Sequence, residues 1–280
     1  MQREYTISLP KPEMLTLRQV VLDSEPWLEE PSLVELPWKS SIEAPKSLKI
    51  GVMWDDGIVH PHPPIARCLR ETVASLQRVG HTIIYWDPKL HRDLTDCINK
   101  MYLLDAGQEY LDILKAGNEP AAPLMQWIID STGNKTHTVS ESWKLNSLRN
   151  ALQIAYAAQW NEAGIDALLC PTNPSVASAH GESTYWGYSS AFNILDYSAA
   201  VFPVGRVKQD DSWTKHPRSK PVMGEEDLRF ESYFGDNGAT KYEAAPVSMQ
   251  LVTRRYREEA LLGMVEMIVR DLEPSLKEKL

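Results

Sequence analysis

The sequence has 280 residues, of which 43% are hydrophobic and 24% are charged, proportions that are ordinary for a globular protein. The net charge of −9 argues against binding to nucleic acid or to an anionic membrane surface, because both need clustered Lys and Arg. No apolar run approaches the roughly 20 residues that span a bilayer, and the start, MQREYTISLP, lacks the layout of a signal peptide. Three scattered cysteines argue against a disulfide framework or a zinc knuckle. We therefore expect a reduced, cytoplasmic protein without metal or other cofactor.

Residues 1–47, which are rich in Pro and Glu, are predicted to form an N-terminal arm. A short helix is expected around residues 15–22, followed by extended chain with apolar anchors at Trp27 and Trp38. Proline fixes the backbone and removes hydrogen-bond donors. The arm is therefore expected to wrap a surface rather than to join the centre of a sheet.

An α/β domain is predicted over residues 48–280, and it opens with strands over 48–54 and 81–86. The helix between them has apolar residues at i, i+3, i+4 and i+7, with Pro63 in its first turn and Gly80 at its end. A strand, a helix and a second strand joined by short loops form a βαβ unit. The two strands are therefore expected to be parallel.

The remaining elements follow in chain order. Helices are predicted over 89–116 and 121–131, and a third runs from a capping box at Thr138 and Glu141 to Gly164. The pattern then indicates a buried strand (166–170), a helix (189–196), two strands (200–204 and 246–252) and a closing helix (257–271). Residues 206–245 are polar and are predicted to form a long excursion with little regular structure. The fold class is thus α/β, a mixed, mostly parallel sheet with helices on both faces.

Residues 166–205, DALLCPTNPSVASAHGESTYWGYSSAFNILDYSAAVFPVG, resemble the pocket-forming segment of amidase-signature enzymes, especially the fungal acetamidase branch. Other stretches are similar in the same order: EPWL at 25–28, LPW at 36–38, VMWDDGIVHPHPP at 52–64 and APVSMQLV at 245–252. The resemblance covers roughly residues 20–275. It implies a truncated amidase-signature fold that corresponds to the C-terminal portion of the family.

The resemblance also implies how a complete member works: a Ser nucleophile, a second Ser on a cis peptide and a Lys, all from a Gly-rich segment upstream of the pocket. By this comparison the chain is expected to start after that segment. Adjacent serines occur at Ser40-Ser41 and Ser189-Ser190, and neither pair has a glycine-rich loop around it. The first pair is typical of a solvated turn and the second of small packing residues. We therefore expect no amide hydrolysis by the family mechanism.

The aromatic cluster Tyr185, Trp186 and Tyr188 is the first candidate for substrate binding. Its position in the family segment implies the acyl pocket, and aromatic walls with a few polar groups are typical of small-molecule sites. Ordinary core packing is the alternative. Asn193 and Asp196 lie three residues apart on one helical face, so Asn193 would bind substrate and Asp196 would act as acid or base. The alternative is that they support the helix locally.

His180, in a loop, is a second candidate acid or base, and a structural hydrogen bond is the alternative. His60 and His62 stand beside two aspartates, but a metal site needs three or four converging ligands, and the prolines around them favour a rigid loop. Cys170 ends a buried strand, which is more typical of an inert thiol than of a nucleophile.

Two classes of function follow from the sequence. The first is an enzyme repurposed for a non-hydrolytic step, of cyclase, isomerase or addition type, on a small, largely apolar molecule. The second is a catalytically inactive amidase remnant, or a binding or structural subunit. Because the other half of the family fold is expected to cover one edge of this sheet, we also expect a homodimer that covers the vacated surface. Neither nucleic acid nor membrane is expected as a partner.

Overall fold

The computed structural model describes residues 4–6, 19–39, 46–218 and 220–276. Their strands form one six-stranded sheet in the order β1-β5-β6-β4-β2-β3. The strands are β1 (Glu4–Thr6), β2 (Lys49–Val52), β3 (Thr82–Tyr85), β4 (Ala167–Pro171), β5 (Ser198–Arg206) and β6 (Pro246–Thr253). β6 runs antiparallel to β4 and β5, and the other pairings are parallel. The prediction of a mixed, mostly parallel sheet is confirmed.

Helices cover both faces of this sheet, as predicted. They are α1 (Pro63–Arg78), α2 (His91–Tyr102), α3 (Gln108–Gly117), α4 (Pro123–Ser131), α5 (Val139–Ala163), α6 (Gly187–Leu195), α7 (Glu225–Phe234), α8 (Gly238–Lys241) and α9 (Glu258–Leu276). One core cluster packs α1 and α9 on one face, and a second packs α2, α5 and α6 on the other. Among the described residues, none of the helices has the length and apolar character needed to cross a membrane.

The β2–α1–β3 unit follows the sequence closely. β2 and β3 pair in parallel, with Ile50 opposite Ile83. α1 begins at Pro63, where proline is favoured because the first helical residues have no intrahelical partner for their N–H groups. The chain turns after α1 at Gly80, whose φ of 99° suits a residue without a side chain. The predicted parallel βαβ unit is therefore confirmed.

The segment that was predicted as one helix over 89–116 is two helices, α2 and α3. Ala106 and Gly107 both have positive φ, at 59° and 80°, so the helix cannot continue through them. Asp105 supports the break, because its carboxylate accepts hydrogen bonds from the amides of Gly107 at 3.0 Å and Glu109 at 2.8 Å. Asp105 lies two residues before the N-cap, Gly107, so the sequence shows its role only once the break is known.

Residues 206–245, predicted to have little regular structure, contain α7 and α8. Buried contacts hold this excursion against the body. The Arg67 guanidinium on α1 donates to both oxygens of Asp211, at 2.7 and 2.9 Å. Phe230 and Phe234 on α7 are each 1% exposed. The helices are thus supported by tertiary contacts rather than by an amphipathic pattern that the sequence displays.

The arm lies at the edge of the sheet and beside α9. β1 pairs in parallel with β5, so it extends the edge and leaves the centre of the sheet to other strands. Residues 19–23 are helical, whereas residues 15–18 of the predicted helix and the Ser40-Ser41 pair lie outside the described residues. Trp38 packs against the core, and the amide of Lys39 donates to Glu259 at 3.1 Å.

Candidate functional site

A cleft of about 1460 Å³ opens between the arm, α2, α6 and the chain that leads into α9. Its apolar wall includes Trp27, Leu36, Trp38, Ile98, Met101 and Phe192. Its polar groups include Gln153, Thr172, Asn173, Ser189, Asn193 and Gln250. Apolar walls with a few convergent polar groups are typical of sites for small molecules. The volume exceeds the roughly 300–1,000 Å³ of common ligand pockets, so a small molecule would fill only part of it.

Helix α6 presents three of the sequence-predicted residues to this cleft: Trp186, Asn193 and Asp196. Trp186 caps the N-terminus of α6, and its ring meets Trp127 edge to face at 6.2 Å. Asn193 lies two turns further along α6, and its amide donates to the Tyr102 hydroxyl at 2.8 Å. Trp186 and Asn193 are seven residues apart, so the helical period brings these two side chains to one face.

Asp196 sits where α6 ends. Its φ of 56° is in the left-handed region, a position that Asp tolerates better than most residues. Its carboxylate forms an ion pair with the Arg255 guanidinium at 2.6 Å, and both side chains are about half exposed, at 54% and 56%. Arg255 also lines the cleft. The pair therefore holds one carboxylate at the cleft wall in contact with solvent.

Tyr185 and Tyr188 lie elsewhere, in the core beneath the cleft, and neither belongs to its lining. The Tyr188 hydroxyl donates to the Val59 carbonyl at 2.6 Å, and the Tyr185 hydroxyl donates to the Asp56 carboxylate. Asp56 also accepts from the amides of Ile58 and Val59, each at 2.9 Å. The two tyrosines thus fix the loop after β2. Their predicted contact with substrate stays a prediction.

Burial gives this loop unusual electrostatics. The Asp56 side chain is removed from water, and this raises its pKa to about 6, although the hydrogen bonds it accepts oppose the shift. Burial beside the Asp56 carboxylate also raises the pKa of Tyr185. A neighbouring carboxylate, Asp55, is paired with Lys220 at 3.0 Å. The loop therefore combines one ion pair with one carboxyl group that titrates near neutral pH.

His60 and His62 tie the same loop to α7. The His60 ring donates from Nδ1 to Asp227 at 2.9 Å, and its backbone amide donates to the same carboxylate at 2.8 Å. His62 contacts the Phe230 carbonyl through Nε2 at 3.0 Å, and burial lowers its pKa to about 4. Within the part of the chain that the structure describes, no three His, Cys, Asp or Glu side chains form a cluster suited to a metal ion.

Gln250 is a site residue that the sequence analysis missed. It lies in the middle of β6, is 3% exposed and lines the cleft. Its amide donates to the carbonyls of Pro171 and Tyr188, both at 2.8 Å, and so joins the end of β4 to the start of α6. The signal was present: an amide within the apolar strand Val-Ser-Met-Gln-Leu-Val must find buried partners.

His180 is exposed in the turn between β4 and α6 and is not part of the cleft lining. Cys170 is fully buried in β4, and burial raises its pKa, which disfavours the thiolate. Ser189 lines the cleft and donates to the Trp186 carbonyl at 3.1 Å, whereas Ser190 is 2% exposed. Of the predicted acid–base candidates, the geometry therefore brings Asp196 to the cleft.

Comparisons with known proteins identify the family. The Amidase family model matches residues 14–262. A relative from Schizosaccharomyces pombe, whose amidase assignment is itself provisional, is 36% identical over 92% of this chain and 47% of its own length. The acetamidase of Emericella nidulans is 32% identical over 88% of this chain and 46% of its own length.

A solved structure of fatty acid amide hydrolase superposes with a TM-score of 0.82 and 27% identity, covering 92% of this chain and 46% of that one. The chain spans about half the length of the curated relatives it matches. The shared core is the α/β sheet with its helices, and the cleft lies within the matched region. The chain therefore belongs to the amidase family, with the amidase-signature fold that its sequence indicated.

Proposed function

We propose that the chain binds a small, largely apolar amide or related carbonyl compound in the cleft and catalyses a non-hydrolytic step on it, of cyclase, isomerase or addition type. The observation that supports this most is that Trp186, Asn193 and Asp196 all line the cleft. The expected cytoplasmic location stays a prediction from the sequence.

Each of these groups has a role that its surroundings favour. Trp186 offers an apolar surface that ordered neighbours hold in place. Asn193 supplies an amide that can bind a carbonyl oxygen or an N–H group. Asp196, oriented by Arg255, supplies a solvent-accessible carboxylate for proton transfer. A positioned acid or base contributes about 10²–10⁴-fold to a rate, enough for a reaction that already proceeds slowly unaided.

The absence of hydrolysis is part of the proposal. Hydrolysis by the family mechanism would need an activated serine with a base beside it. In this sequence Ser190 is buried, and the Ser189 hydroxyl is directed at a backbone carbonyl of its own helix. Acid–base chemistry at Asp196 needs no such nucleophile.

The second candidate is amide hydrolysis, and the relatives favour it because they include acetamidases. In that case the cleft is one wall of a hydrolytic site, and a Gly-rich Ser/Ser/Lys segment outside these 280 residues faces it. The two candidates share the cleft and differ in the product. Hydrolysis adds one water to the substrate, whereas cyclisation or isomerisation does not.

The test is to incubate the purified chain with aliphatic amides, anilides and hydroxy- or amino-substituted amides, and to follow product masses and ammonia release. We expect a product without added water. Asp196→Asn should slow its formation, and Trp186→Ala should weaken substrate binding. Tyr110→Ala, at an exposed aromatic residue away from the cleft, is the control. Formation of the free carboxylic acid, with covalent labelling of one serine by a fluorophosphonate, would instead establish the hydrolytic candidate. Unchanged activity in both cleft variants would disprove the site.

A further inference from the structure

The outward face of helix α5 is apolar and has a regular pattern. Trp143 and Ile154 are its two most exposed large side chains, at 71% and 72%. Between and beyond them lie exposed small or apolar residues: Ser147, Leu148, Ala151, Ala155 and Ala158. At 3.6 residues per turn these positions share an arc of about 140° and a length of about 22 Å.

This face has no packing partner among the described residues. α5 packs on α2 and α6 through its opposite side, where Leu152, Tyr156 and Trp160 are buried. A helix that is apolar on both sides is typical of one that is covered on both sides. The composition of this face therefore predicts a packing partner, and none of the described residues provides one.

We propose that a second copy of this chain covers the face, through an antiparallel α5–α5 contact about a two-fold axis. The exposed charged residues of α5 are Lys144 near its start and Glu162 near its end. Neither forms an ion pair with another residue in the described part of the chain. An antiparallel pair that sets Lys144 of one copy opposite Glu162 of the other forms two ion pairs related by the two-fold axis. The face is therefore complementary to itself.

The same register also fits the shapes of the side chains. It sets Leu148 opposite Ala158 and Ala151 opposite Ala155, so small residues meet either a large or another small residue. Ile154 lies beside the axis and packs on the alanines of the partner helix. Alternation of large and small side chains lets helix surfaces interdigitate. This surface is a helix face, separate from the cleft and from the sheet edge at which the sequence analysis expected a homodimer.

The partner chemistry favours protein over lipid. A helix that binds a membrane surface carries Lys and Arg around its apolar face. Here the exposed charges are one Lys and one Glu, and the chain has a net charge of −9. A single helix pair buries less than the roughly 1,200 Å² of a standard interface, so we expect a weak dimer that is half formed at about 10–100 µM.

The first test is sedimentation equilibrium of the 280-residue chain over about 1–200 µM, a range suited to weak homodimers. We expect a reversible monomer–dimer equilibrium. Ile154→Glu should raise the dissociation constant by about 10-fold or more, because it buries two carboxylates near the axis. The matched control is Ile113→Glu on α3, where the isoleucine is 64% exposed, and it should leave the constant unchanged. A monomer at every concentration, or equal effects of both variants, would overturn the proposal.

The second test addresses the register. Lys144→Glu and Glu162→Lys should each weaken the dimer several-fold, and the double variant should restore it, which a folding defect would not do. Ile154→Cys lies about 3 Å along the axis from its symmetry mate and should form a disulfide-linked dimer, whereas Leu148→Cys, about 15 Å from its mate, should not. The native cysteines are buried and do not interfere. Failure of the double variant, or binding of the monomer to neutral phosphatidylcholine vesicles through this face, would contradict the pairing.

Discussion

The Tyr185 hydroxyl donates a hydrogen bond to the Asp56 carboxylate, and both side chains are buried, at 8% and 1% exposure. Tyr185 stands two residues before α6, and Asp56 stands in the loop after β2. The bond therefore joins the helix that presents Trp186, Asn193 and Asp196 to the loop beneath it. A buried carboxylate is tolerated because donors surround it, and here the two backbone amides and the phenol provide them.

Removal of this phenol is expected to destabilise the fold. Tyr185→Phe leaves one oxygen of Asp56 without its donor, and a lost hydrogen bond to a charged group costs about 1.5–3 kcal/mol. The measurement is the free energy of unfolding in urea. Tyr110→Phe, at a tyrosine that is 46% exposed, is the control and should change little. Equal effects of the two variants would show that the bond contributes nothing.

Asp56 also predicts a pH dependence with a definite sign. Its pKa is about 6 in the folded chain and 3.8 as a free side chain, so between these values the native state retains a proton that the unfolded state has lost. Stability from this group is therefore fully present below about pH 4 and is lost as the pH rises to about 6, by roughly 3 kcal/mol. Carboxyl groups whose pKa is lowered on folding contribute in the opposite sense. The contribution of Asp56 must therefore be measured as the difference between the native sequence and a variant that lacks this carboxyl group.

The difference is obtained from urea unfolding of the native sequence and of Asp56→Asn between pH 4 and 7. We expect the free energy of unfolding of the native sequence to fall relative to that of the variant up to about pH 6.5. Above that pH the two curves should be parallel. Asp210→Asn, at an exposed carboxylate, serves as the control. Parallel curves for the native sequence and Asp56→Asn throughout would mean that Asp56 titrates as an ordinary exposed aspartate.

The buried ion pair between Arg67 and Asp211 should be essential for the excursion. Asp211→Ala removes the buried counter-charge of Arg67 and leaves Glu71, at 3.4 Å, as its carboxylate partner, a change that costs at most about 3–5 kcal/mol. Proteolysis should then cut within residues 206–245 before the rest of the chain unfolds. The control is Asp210→Ala, which removes an exposed partner of Lys215 and should not alter stability measurably. Slow proteolysis of Asp211→Ala would contradict this role.

The three thiols should be unreactive in the folded chain. Cys68, Cys97 and Cys170 are buried, and burial raises the pKa of both Cys97 and Cys170. Ellman's reagent at pH 8 should therefore label them only after urea is added, at least about 100-fold more slowly without it. Ile113→Cys, at a position that is 64% exposed, should react at once. Rapid labelling of the native sequence would show that one of these sites opens.

Most of the fold followed from local patterns in the sequence. The β2–α1–β3 unit and the capped start of α5 have periodicity, prolines and a Thr–Glu pair that act over a few residues. The break between α2 and α3 and the helices α7 and α8 did not follow, because they depend on left-handed residues and distant partners such as Arg67. Contacts across more than a hundred residues leave no local pattern.

The candidate site could be predicted only in part from the sequence, for the same reason. Spacing on one helix predicted that Asn193 and Asp196 would share a face; both line the cleft, although Asp196 lies just beyond the end of α6. It could not distinguish Trp186, which faces the cleft, from Tyr188, which faces the core, because both lie at the turn of helix entry. The contact of Asp56 with Tyr185 joins residues 129 positions apart. Such a pair is recognised only when the sheet has been assembled.

β6 is the last of the described strands in chain order, yet it lies between β4 and β5, which are joined only through it. During synthesis, β4-β2-β3 and β1-β5 are therefore two half-sheets with open edges that face each other. They stay open until residues 246–253 leave the ribosome. Unpaired edges of this kind invite pairing with other chains. Nascent protein that stalls before Pro246 should aggregate or recruit chaperones, and emergence of β6 should close the sheet in one step.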